Sequence, residues 1–174
     1  MTDSGLRAST GLVRAAICNI LGERLESAQV VDLFAGVGSL GLEVLSRGAA
    51  KVTFVELQQA HARVIEANLA MLGFQERGEV VVGDALSWVI RSQSALRTAG
   101  LVLMDPPYRD RGPDLCLAAV ERIGALAEEL PDWDPVVVVE HHRQLSVPSA
   151  PGALNCVRTA RYGTTELSFY RRRT

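Results

Sequence analysis

The chain has 174 residues, 48% of them hydrophobic, a formal net charge of −2 and three cysteines. That length and apolar content suit one compact core and exclude a disordered chain or a disulfide scaffold. The slight negative charge excludes a protein coated all round in positive potential. Apolar runs are short and broken by Gly, Pro or charge, and no basic-then-apolar leader opens the chain, so a membrane span and export are not expected and a cytoplasmic setting is.

Ser9 or Thr10 can cap a first helix, in which Leu12, Val13, Ala16, Ile17, Ile20 and Leu21 form one apolar stripe. Residues 29–34 read as a short buried strand, 36–41 as a glycine turn, and 39–47 as a helix closed by Gly48. Residues 51–55 form a second strand that ends at Glu56. Ala60, Val64, Ile65, Leu69 and Leu72 then repeat at helical spacing and stop at Gly73. Val80, Val81, Val82 and Gly83 make a third strand, followed by Asp84 and a short helix over 85–91. The apolar run 101–104 delivers Asp105, Pro106, Pro107 and Tyr108. A helix over 114–130 is stopped by Pro131, and 135–140 is a β-branched strand buried on both faces. Residues 154–160 and 165–170 give two adjacent strands joined near Tyr162 and Gly163. Alternating strand and helix predicts an α/β fold with a mostly parallel sheet, helices on both faces and an antiparallel closing hairpin, with one domain over 1–174.

The glycine turn by itself matches many nucleotide sites, so its setting between strand and helix carries the weight. Gly36 and Gly38 permit backbone torsions and close approaches that side chains block, and the following helix aims unpaired N–H groups at a ligand. Glu56 lies about twenty residues past the first glycine, where a carboxylate accepts hydrogen bonds from both hydroxyls of a ribose. A nicotinamide dinucleotide and S-adenosylmethionine both fit so far. Asp32, inside the approach to the turn, separates them: a pyrophosphate meets it at a cost, whereas a methionine ammonium is attracted. Asp84 is placed to take an adenine amino group. Asp32, Glu56, Asp84 and Asp105 stand at the ends of successive strands, the edge where open α/β sheets gather ligands. For any one of them a helix N-cap or a solvated loop carboxylate is an equal reading.

Asp105-Pro106-Pro107-Tyr108 suits an exocyclic amino group on a flat base. Asp105 and the Pro106 carbonyl can each accept one N–H, Pro107 stiffens the turn, and Tyr108 can stack on the base for about 1–3 kcal/mol. These stretches resemble the class I methyltransferases, and within them the bacterial small-subunit ribosomal RNA guanine-N2 methyltransferases. The likeness runs from the helix around Val13 to Leu21, through Val31 to Glu43 and Leu45 to Ala50, to the 105–108 motif and the hairpin around Tyr162-Gly163 and Leu167 to Tyr170. It implies a Rossmann-like seven-stranded sheet, S-adenosylmethionine as cofactor, and ribosomal RNA or an assembling small subunit as partner. It implies cofactor contacts at Asp32, Phe34, Ala35, Gly36, Gly38, Gly41, Glu56, Leu57, Asp84, Ala85 and Asp105, with chemistry at Asp105, Pro106, Pro107 and Tyr108. The residues alone leave guanine N2 and adenine N6 equal, and the likeness selects guanine. A form that binds cofactor or ribosome without catalysis is the contrasting expectation. Family members carry a basic hairpin before the first helix, whereas here few residues precede Arg7, so the grip on RNA is expected to differ.

Lys51 is the one lysine among 18 basic residues. Arg7, Arg14, Arg109, Arg111, Arg158 and Arg161 are candidates for phosphate contact, with Arg171 to Arg173 expected to fray. Cys18, Cys116 and Cys156 read as free thiols and Trp88 and Trp133 as packing residues. His61, His141 and His142 show no metal-ligand spacing, and neither a metal nor histidine chemistry is expected.

Overall fold

The computed structural model describes residues 11–107 and 112–173. The expected cap at Ser9 or Thr10, together with Tyr108, Arg109 and Arg111, lies outside them. Seven strands form one sheet in the order β3-β2-β1-β4-β5-β7-β6, where β1 is Gln29–Leu33, β2 Lys51–Glu56, β3 Gly78–Val82, β4 Leu101–Met104, β5 Val136–His142, β6 Leu154–Tyr162 and β7 Thr165–Arg172. Strands β1 to β5 pair in parallel, and β7 runs antiparallel to both β5 and β6. The order climbs away from β1 on one side and restarts at β4 on the other. Chains leaving these two neighbours diverge, and a crevice opens at their C-terminal ends.

Burial on both faces explains why the central strands read as unbroken apolar runs. One face carries Val30, Val52, Phe54, Leu103 and Val138 beneath α1 (Gly11–Leu21), α2 (Ser39–Ser46) and α3 (Gln59–Leu72). The other carries Val31, Val102, Met104 and Val137 beneath α4 (Ala85–Arg91), α5 (Gln93–Thr98) and α6 (Gly112–Glu129). Trp133 packs in that second layer and donates its ring N–H to the Ala99 carbonyl at 2.8 Å.

Several expectations shift. Helix α1 buries Val13, Ile17, Cys18 and Leu21, leaving Leu12 69% exposed. In α3 the buried face is Ala62, Ile65 and Leu69, with Val64, Leu72 and Ala60 turned outward. In both helices the packed stripe is thus rotated from the most apolar one. Helix α5 went unseen in a short polar stretch, and β5 continues two residues past Glu140. The expected fraying of Arg171 to Arg173 is wrong: the first two belong to β7. Arg172 Nη1 donates to the Ala127, Leu130 and Trp133 carbonyls, at 2.6, 3.3 and 3.3 Å, so a cation closes the C-terminal end of α6.

Gly38 has a φ of 79°, and a Cβ there would come within 2.9 Å of Ile65. A Cβ on Gly41 would overlap the Phe54 ring. Gly41→Val is therefore expected to destabilise the fold by on the order of 3 kcal/mol through overpacking. Thermal denaturation checks this, and an unchanged midpoint would contradict the close approach.

Candidate active site

The crevice at the β1–β4 divergence holds a cavity of about 280 Å³. It is walled by Phe34 to Val37 of the glycine turn, Glu56 to Gln58 after β2, Gly83 to Ala85 after β3, and Asp105 and Pro107 after β4. Asp32 forms its floor, and His61 and Leu115 also line it. Nine of the expected cofactor contacts thus converge: Asp32, Phe34, Ala35, Gly36, Glu56, Leu57, Asp84, Ala85 and Asp105. Gly38 and Gly41 do not border the cavity. They stand behind it, where their missing side chains let α2 approach Ile65 and Phe54. Pro106 is likewise buried away from the cavity, beside Cys116, His141 and Leu145 around a small separate void.

Glu56 is held by the protein before any ligand arrives. Its Oε2 accepts the Gly36 N–H at 2.8 Å and its Oε1 the Gln58 N–H at 2.8 Å. His61 Nδ1 stands 3.3 Å from Oε1 and His61 lines the cavity, so this histidine belongs to the site although no chemistry was expected of it. The carboxylate is thereby fixed across the turn with lone pairs left for a diol. Phe34 adopts φ 62°, a conformation uncommon for a residue with a side chain, and the turn bends sharply around that point.

Asp84 combines two of its readings. It caps α4, Oδ1 accepting the Ser87 N–H at 2.8 Å, while it also borders the cavity. Hydrogen bonds from Ser87 hold its carboxyl below the usual range.

Asp32 is 2% exposed and accepts the Gly41 N–H at 3.0 Å. Burial pushes its pKa up to about 7, helped by the Glu56 charge and opposed by the Gly41 amide. Asp105 opens to the cavity but is otherwise enclosed. Burial, then the charges of Glu140 and Asp32, raise its pKa well above the carboxylate range. Glu140, 4% exposed on β5, was missed by the sequence reading. Its signal was a charge closing a run of four valines in a strand expected to be buried on both faces.

Asp32 and Asp105, two carboxyls of this cavity that burial makes reluctant to ionise, preorganise it for a cation, because a positive ligand restores the charges that burial disfavours. The donor set fits S-adenosylmethionine: acids for its sulfonium and ammonium groups, Glu56 for its ribose, and Leu57 with Ala85 as apolar walls for a flat base. Glu56→Ala should weaken cofactor binding about tenfold or more, from lost hydrogen bonds to two hydroxyls at on the order of 1 kcal/mol each. Calorimetric titration reads this, and an unaltered affinity would remove Glu56 from the site. Among the described residues no group of three or more His, Cys, Asp or Glu is placed to hold a metal ion. Cys18, Cys116 and Cys156 are free, and no described helix is long and apolar enough to cross a membrane.

Known proteins share this arrangement. The chain is 32% identical over 168 residues to Ribosomal RNA small subunit methyltransferase D of Escherichia coli (strain K12), covering 97% of this chain and 80% of that protein. It is 30% identical over 169 residues to YlbH of Bacillus subtilis (strain 168), covering 96% and 88% respectively. The solved structure of yhhF from Escherichia coli superposes with a TM-score of 0.76 at 31% identity, over 99% of this chain and 90% of that one. The sheet is that of the class I methyltransferases. With the model of one family matching residues 1–171 across every element described above, the chain belongs to the family described as conserved hypothetical protein 95.

Proposed function

We propose that this protein transfers the methyl group of S-adenosylmethionine to the exocyclic N2 amine of a guanine in small-subunit ribosomal RNA, in the cytoplasm, on RNA or on an assembling subunit. The observation that carries the reading is the convergence of Asp105 and Pro107 with the glycine turn and Glu56 around one cavity. The relative named for small-subunit ribosomal RNA methylation supports the substrate class.

The cofactor supplies an electrophilic methyl on sulfonium. Everything else falls to the chain. Asp32, at the floor, would offer its carboxyl to the ammonium end, and Glu56 would hold the ribose. An aromatic amine is a weak nucleophile because its lone pair is delocalised into the ring. Asp105, accepting one of its N–H bonds, favours a pyramidal nitrogen and stabilises the positive charge that develops there. Tyr108 follows Pro107 directly and is assigned the face of the target base, a stacking contact of about 1–3 kcal/mol. The base must be unpaired or flipped out to reach this edge, since a stacked base hides its amine.

The test is to map modified nucleotides in small-subunit ribosomal RNA from cells with and without this protein. Loss of one N2-methylguanosine is expected. Loss of an N6-methyladenosine would move the assignment to adenine, and an unaltered set would contradict the reading.

A further inference from the structure

Glu140 is not among the residues that line the cavity. Its place in the sheet still ties it to the chemistry. Leu103 lies opposite Val138 and Met104 opposite Val139 in the β4–β5 pair. One residue further along both chains, Asp105 comes beside Glu140. Side chains alternate along a strand, and Leu101, Leu103, Val136 and Val138 pack on the face of Phe54 and α2, so the next positions of that parity, Asp105 and Glu140, share that face. Asp32 points there too, since it meets the Gly41 amide of α2. Three carboxyls therefore occupy one water-poor layer beneath the cavity.

We propose that Glu140 is a positioning residue for methyl transfer, set behind Asp105 so that Asp105 takes up the proton released from the methylated amine. This rests on the function proposed above. The bond from nitrogen to the methyl carbon forms as the carbon–sulfur bond breaks, and that bond's electron pair leaves on sulfur. The nitrogen then carries one proton too many. It passes to the ionised Asp105 carboxylate, where the adjacent Glu140 charge favours its retention, and returns to solvent after the product departs.

The raised affinity of Asp105 for a proton agrees with this placement: it follows from burial first and Glu140 second. Two carboxyls this close titrate as a pair. The other groups around them do not substitute for Glu140. Cys116 of α6 has its thiol pushed up to about 12 by burial and by Asp105, so it stays protonated. Glu56 acts on Asp32 and is anchored away from Asp105 by Gly36, Gln58 and His61. His141 turns to the opposite face, where Nε2 lies 2.9 Å from Ser168 Oγ and burial lowers its pKa. His142 accepts the Gln144 amide through Nδ1 at 3.2 Å.

The experiment is the pH dependence of single-turnover methyl transfer from S-adenosylmethionine to unmodified small-subunit ribosomal RNA, for wild type, Glu140→Gln and Glu140→Asp. In Glu140→Gln the acid limb should move down by about one pH unit and the plateau fall about fivefold, as expected for a weaker base. Cofactor affinity by calorimetry should stay within about threefold. Glu140→Asp, which keeps the charge but draws it back from Asp105, should move the limb down by a smaller amount than Glu140→Gln does. An unmoved limb in Glu140→Gln, or a rate that falls only in step with cofactor affinity, overturns the proposal. Should Glu140→Gln not fold, Glu140→Asp decides: its shorter arm draws the charge back, so a smaller downward shift is expected and an unshifted limb overturns it. Wild type that labels no RNA would sink the parent reading and this inference with it, whereas active wild type with an unmoved variant limb sinks this inference alone.

Discussion

Asp105→Asn should lower methyl transfer by at least about 10²-fold, the scale of losing one aimed group at a developing charge. The substitution keeps the side chain's size and leaves a carbonyl oxygen, but it removes the negative charge and the proton acceptor. Cofactor affinity should change by less than about tenfold, because Glu56, Asp32 and the turn still hold the remainder of the molecule. A filter assay with labelled methyl donor and calorimetric titration separate the two effects. A variant that keeps more than a tenth of wild-type activity would show that the carboxylate is not at the reacting amine.

The unliganded protein should become less stable as pH rises from about 5 to 8, the reverse of the usual trend for carboxylates paired in the folded state. Asp32 carries the argument. Its pKa is about 7 when folded against a model value of 3.8, so between these values the folded chain holds a proton that the unfolded chain has lost. Stability then falls with pH by roughly 1.4 kcal/mol per unit across that window and levels off above it. Asp105, raised in the same direction, adds to the slope. Asp84, held low, contributes stability that is lost only in more acid solution. Asp32→Asn removes one ionising group while its Oδ1 can still accept the Gly41 N–H, so it should flatten the profile and be the more stable form at pH 8. Chemical denaturation at pH 5, 6, 7 and 8 reads the slope. A wild-type curve that rises over this range would mean that Asp32 ionises as an ordinary carboxylate. Binding of a cationic cofactor favours the ionised acids, so cofactor affinity should strengthen over the same range in which the free protein weakens.

The strands, the glycine turn and the cavity edge were legible because they rest on local rules. Two-sided burial writes β1, β4 and β5 as apolar runs, Gly36 to Gly41 interrupts them where the chain must turn, and a parallel sheet then sends every strand end to one rim. What stayed hidden depends on contacts between distant segments. Periodicity identifies α1 and α3 as helices, but Cys18 and Ala62 are packed while Leu12 and Val64 are exposed, because the sheet beneath, which periodicity does not see, selects the face. Gly41 leaves a gap for the Phe54 ring of β2, a packing role that the glycine pattern alone does not reveal. Glu140, His61 and Arg172 acquire their partners only when β5, α3 and β7 are laid beside β4, β2 and α6.

The most direct measurement is product analysis in vitro. Purified protein, S-adenosylmethionine labelled in the methyl group and small-subunit ribosomal RNA from cells lacking the protein are combined, and the RNA is digested to nucleosides. The label is expected in N2-methylguanosine, at a single position. Label in another nucleoside, or no label from protein that demonstrably binds the cofactor, would contradict the account.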